Sequence, residues 1–96
     1  MVIEWLTFDI EPEIRDRWME VEEVNWSRYL EQRPGFISKQ LWVDQSNPGQ
    51  IHAVITWTDE ETWLTVPAED IVRVDAAMGD LLRNCTMRVF DVIRDC

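Results

Sequence analysis

The sequence has little that would let it fold as a stapled, fibrous or membrane-spanning chain. It holds two cysteines, Cys85 and Cys96, which form no CxxC pair, so neither a disulfide framework nor a zinc finger is expected. One histidine, His52, with no clustered cysteines or paired carboxylates, makes a poor metal site, and no metal is expected. Three glycines and four prolines are too few for a collagenous or low-complexity chain. No apolar run approaches the length of a membrane span. Basic residues are scarce: nine Lys and Arg stand against nineteen Asp and Glu, a net charge of −10. Phosphate backbones and anionic membranes would repel such a chain, so neither is expected as a partner. No Ser-His-Asp order, nucleophile elbow, phosphate loop or dinucleotide fingerprint occurs, and no cofactor is expected. Met1 leads directly into "VIEWLTFD", without the basic start of a secretory leader. With two unpaired thiols, that reads as cytoplasmic.

What is present is apolar surface. The chain has 96 residues, of which 46% are hydrophobic and six are Trp. That suits one domain, residues 1–96, with a thin core. "VIEWLTFD" (2–9) reads as a strand. Pro12 suits a first helical turn, and from Glu13 to Gln32 the helical period holds. Ile14, Trp18, Val21, Asn25 and Tyr29 form its stripe. Pro34-Gly35 stops it. "FISKQLWVD" and "IHAVITWT" are strands around the turn cluster "QSNPGQ" (45–50), hence a hairpin. Thr58 with Glu61 reads as a capping box, and Pro67 opens a second helix carrying Ile71, Val74, Met78, Leu81 and Leu82. Residues 86–94 close the chain as a strand.

The order β-α-β-β-α-β predicts an α+β, ferredoxin-like fold with a four-stranded antiparallel sheet. Right-handed crossovers put both helices on one face. The other face should then be polar, yet strands one, two and four carry large apolar residues on both sides. In strand two, strict alternation sets Phe36, Ser38, Gln40 and Trp42 against Ile37, Lys39, Leu41 and Val43. A second copy, sheet facing sheet about a two-fold axis, is the economical cover.

The strand "VIEWLTF", the helix end "RPGFISKQLW", the hairpin into "IHAVITWTDEETW" and the closing strand resemble the dimeric α/β-barrel superfamily. Within it they resemble the group related to antibiotic biosynthesis monooxygenases. More narrowly, the chain is similar to a small cyanobacterial family of about this length. The resemblance implies a homodimeric barrel with a cleft between sheet and helices in each subunit. Its members oxidise polyketide aromatics without a cofactor, degrade haem, or isomerise small molecules. The haem-degrading members use an Asn on strand one, a Trp after strand three and a later His. Trp63 sits at the Trp position, strand one has no Asn, and Arg73 stands where the His would be, so haem degradation is not expected.

Candidate ligand-binding residues are Trp18, Asn25, Tyr29 and Trp63. An amide such as Asn25 on an apolar stripe is either a polar anchor in a cleft or a group bonded to backbone or water. Candidate proton-transfer residues are His52 and Asp75. His52 is placed on the partner-facing side, because Ile51, Ala53, Ile55 and Trp57 form the better core face. Asp75 reads as a solvated helix edge. Three functions are carried forward: binding of a small apolar or aromatic molecule, cofactor-independent oxygenation of an aromatic, and a structural or regulatory dimer without ligand. A base in the cleft separates the second from the first; a filled core would favour the third.

Overall fold

Alternation along four apolar segments sets the sheet, and the computed structural model describes all residues 1–96. The strands are β1 (Val2–Asp9), β2 (Phe36–Asp44), β3 (Asn47–Trp57) and β4 (Cys85–Asp91), antiparallel in the order β2-β3-β1-β4. The helices are α1 (Arg15–Glu22), α2 (Arg28–Leu30), α3 (Glu60–Trp63) and α4 (Ala68–Ala77), with short 3-10 turns at Pro12–Ile14 and Gly79–Leu81. This is the expected ferredoxin-like arrangement. Strand three begins four residues earlier than the sequence suggests, because the hairpin turn tightens to Gln45-Ser46, and strand four spans Cys85–Asp91 where the sequence suggests 86–94.

Val2, Glu4, Leu6 and Phe8 share the helix-facing side with Ile51, Ala53, Ile55 and Trp57, as the β1–β3 register dictates. The opposite side carries Ile3, Trp5, Thr7, His52, Val54 and Thr56. A β-bulge between Phe36 and Ser38 breaks the expected alternation of strand two. It turns Phe36 to the helix side, where its ring meets Trp57 edge-on at 5.9 Å. Ser38, Gln40 and Trp42 keep the open face.

The first helix departs from the sequence reading in a way that matters for the site. Residues Glu23–Ser27 form a π-helical stretch between α1 and α2. Its wider turn carries the inward face through Trp18, Glu22, Trp26 and Leu30, a spacing of four throughout. An undisturbed 3.6-residue period would have drifted off that line. Asp59, not Thr58, caps α3: its carboxylate accepts the Thr62 N–H at 2.7 Å.

The core lies between sheet and helices in two clusters. Val2, Leu30, Ile55, Trp57 and Trp63 form one; Ile10, Trp18, Ile51, Met78 and Leu81 form the other. Gly35 adopts φ +81°, and a Cβ there would stand 2.6 Å from Thr62 Cγ2; Gly79 has φ +59° with open space beside it. Gly79→Ala should therefore cost about 1 kcal/mol for backbone alone, and Gly35→Ala about 2 kcal/mol or more. Urea unfolding of both variants checks this. Equal losses would mean that Thr62 yields without strain.

Candidate functional site

Between the sheet and the helices lies a cavity of about 500 Å³ with a largely apolar lining. Its floor is Leu6, Ala53, Ile55 and Trp57; its roof includes Trp18, Trp26, Trp63 and Ile71. Four indoles thus surround one space. A carboxylate, Glu4, stands on the floor among them. Alternation along β1 forces it there, since its neighbours on that face, Val2 and Leu6, belong to the core.

Glu4 is held by Trp57, whose Nε1 donates to Oε1 at 3.1 Å. Burial pushes its carboxyl above the ordinary 4.5, and the Trp57 bond and the Lys39 charge pull it back only partly. Glu4 and Lys39 flank the same β3 residue, Ile55, in the register, two strand spacings or about 10 Å apart along the floor. Lys39 is itself spent on Glu22: their side chains are 8% and 5% exposed and form an ion pair. Ser27 completes that group, accepting from Lys39 Nζ at 3.0 Å and donating to Glu22 Oε1 at 3.1 Å.

Asp75 lines the cavity, contrary to the solvated-edge expectation; its Oδ1 accepts the Trp26 N–H at 3.2 Å. Trp18 and Trp63 line the cavity as well. Asn25 and Tyr29 do not. The π-helical stretch rotates them off the inward face, and each is bonded elsewhere. Asn25 Nδ2 donates to the Val21 carbonyl at 2.9 Å, and the Tyr29 hydroxyl donates to Asp70 Oδ2 at 2.5 Å. His52 lies on the open face, where its Nδ1 accepts the Trp5 N–H at 3.1 Å and meets Thr7 Oγ1 at 2.9 Å. It is thus separated from the cavity by the sheet itself. Cys85 stands at the cavity edge; burial, then the charges of Glu4 and Asp75, push its thiol up, so it is a weak nucleophile.

Sequence reasoning passed over Glu4, Glu22 and Lys39. The signal for Glu4 was available: it is the one charged residue on the apolar face of "VIEWLTF". Glu22 needed the π-helical phase, which no residue pattern announced.

No family model matches the chain, and no match is found among curated protein sequences. Solved structures do match, and they place the fold with that of antibiotic biosynthesis monooxygenases. A monooxygenase from the gene ActVA-Orf6 of Streptomyces coelicolor, solved with nanaomycin D, superposes with TM-score 0.80 at 13% identity, covering 99% of this chain and 89% of that one. SnoaB, a cofactor-independent oxygenase from Streptomyces nogalater, gives 0.75 at 15% identity over 98% and 94%. The haem degrader MhuD from Mycobacterium tuberculosis, solved with two haems in its active site, gives 0.74 at 16% identity over 100% and 99%.

The raised Glu4 pKa has a defined effect on stability. The folded carboxyl binds its proton more tightly than the unfolded one. Its burial therefore costs nothing below the unfolded value of 4.5 and costs its full amount once pH exceeds the folded value. Glu4→Gln keeps an acceptor for Trp57 and removes that cost. It should stabilise the protein near neutral pH by on the order of 1 kcal/mol, with the gain fading toward pH 4.5. Thermal melts of both proteins across that range decide it; a variant less stable at neutral pH would show that the ionised carboxylate is a net stabilising partner.

Proposed function

We propose that the protein binds a small apolar or aromatic molecule in the cleft between sheet and helices. The observation that carries this is the cavity of about 500 Å³ walled by Trp18, Trp26, Trp57 and Trp63. A chain meant only to dimerise would be expected to fill that volume, since interiors pack densely. The matching structures solved with nanaomycin D and with haem support a ligand at this level. Glu4 is the polar anchor of the floor. The test is tryptophan fluorescence during titration with a flat tricyclic probe, dihydroxyanthraquinone. Saturable quenching that Ala53→Trp abolishes, by filling the floor, supports the reading. Unsaturable quenching, equal in both proteins, overturns it.

A second copy of the chain is the proposed cover of the open sheet face. There Trp5 packs against Trp42 at 5.1 Å and Phe90 at 5.7 Å, beside Ile3 and Val54 in a shallow depression. Trp42 is 41% and Phe90 37% exposed in the single chain, large side chains for a solvated surface. Sedimentation equilibrium should give twice the chain mass, and Trp42→Asp should shift it toward the monomer. A wild-type monomer at micromolar concentration removes the barrel. The two thiols, Cys85 and Cys96, are free, in keeping with a reducing, cytoplasmic setting. A finer kinship, to a small cyanobacterial family of about this length, is proposed as well.

A second reading, cofactor-independent oxygenation, is favoured by one observation: Glu4 is a carboxylate made more basic by burial and set beside the space a ring would occupy. It would accept the proton of an acidic aromatic hydroxyl while the substrate supplies electrons to dioxygen. SnoaB supports it as a cofactor-independent oxygenase of the same fold. Oxygen uptake with a dihydroxyaromatic, lost in Glu4→Gln, is the expected outcome; uptake unchanged in that variant excludes Glu4 as the base.

A further inference from the structure

Charge balance within the cleft carries an inference about its ligand. Three carboxylates line the cavity: Glu4, Glu22 and Asp75. Each has one oxygen engaged by the protein, by Trp57, by Lys39 with Ser27, and by Trp26 respectively. The two cations of the lining are already committed. Lys39 is paired with Glu22, and Arg83 holds Glu11 through two bonds of 3.2 and 2.9 Å. Glu4 and Asp75 are left with no cation paired to them. Glu22, only 3% exposed, keeps Oε2 without any partner in the protein. A buried acceptor left so is costly unless a donor meets it. Around these acceptors stand the indoles of Trp18, Trp26, Trp57 and Trp63, and indole is the ring that attracts a cation best.

We propose that the cleft selects organic cations: an apolar or aromatic body carrying a protonated amine, its ammonium set among Glu4, Asp75 and the indoles. This rests on the cleft reading above and names the class of ligand that the site takes. The net charge of −10 would also raise the local concentration of such a cation. An anionic ligand of the same shape would meet uncompensated carboxylates in a poorly solvated space and be rejected.

The test uses three probes of one shape: 2-(aminomethyl)naphthalene, 2-ethylnaphthalene and 2-naphthoate, titrated calorimetrically. The amine should bind about tenfold more tightly than the neutral hydrocarbon, with the margin narrowing as salt rises, and the carboxylate should bind weakest. Asp75→Asn keeps an acceptor for Trp26; it and Glu4→Gln should each cut the amine's margin to about threefold. The neutral probe's affinity in each variant reports whether the cleft remains intact. Should a variant fail to fold, the wild-type order of the three probes still decides. Equal affinities for amine and hydrocarbon overturn the proposal and leave the cleft reading standing. A wild-type protein that binds none of the three overturns both.

Discussion

The hydrogen bond from Trp57 to Glu4 is the interaction on which the cleft depends. Trp57 is wholly buried at the end of β3, so its N–H must find an acceptor inside the protein. Val2 stands opposite it in the register and offers none; Glu4, the diagonal neighbour on β1, does. The bond fixes the indole plane, against which Phe36, Leu30 and Trp63 pack. It also fixes a carboxylate on the cavity floor that water would otherwise have to solvate. A single contact thus joins the core cluster to the polar chemistry of the site. An apolar residue in place of Glu4 would orphan the Trp57 donor, at a cost of about 1–3 kcal/mol.

The π-helical stretch has the complementary role on the roof. It keeps Trp18, Glu22, Trp26 and Leu30 over the sheet for three successive steps of four residues. Glu22 can therefore reach Lys39 on β2, and Trp26 can reach Asp75 on α4. The Lys39–Glu22 pair is desolvated on both sides. Removing one partner would leave a buried charge, which costs about 3–5 kcal/mol. The ion pair consequently ties the edge strand β2 to the helix layer, and the Trp26–Asp75 bond ties the two helical regions together above the cavity.

The architecture was legible because alternation and turn chemistry are local. Four apolar segments, Pro34-Gly35 and the 45–50 turn cluster suffice for the element order and the helix-covered face, and the same logic sets His52 on the open side. The site was less legible, because it depends on two departures from regular period. The bulge at Phe36-Ile37 moves Phe36 across the sheet. The π-helical stretch moves Asn25 and Tyr29 out and brings Glu22 and Trp26 in. Neither departure follows from the period-2 or period-3.6 pattern of its own segment. Glu4 lay within reach of the pattern, as the charged member of an apolar face.

The tryptophans are shared between the two faces of one thin sheet. Trp18, Trp26, Trp57 and Trp63 wall the cavity on one side of it; Trp5 and Trp42 stand on the other. A leucine would supply comparable apolar area, but not an N–H with a direction. Four of the six indoles donate to a side chain: Trp5 to His52, Trp26 to Asp75, Trp42 to Gln40 and Trp57 to Glu4. Each bond holds a large flat ring at a fixed angle. Rings held in that way give each face a fixed shape and a directed polar edge as well as apolar area. The tryptophans are therefore divided between two faces, the cavity wall and the open sheet face, set back to back across β1 and β3. Because neighbouring residues of β1 point to opposite sides, Glu4 and Trp5 are adjacent in the chain and belong to different surfaces.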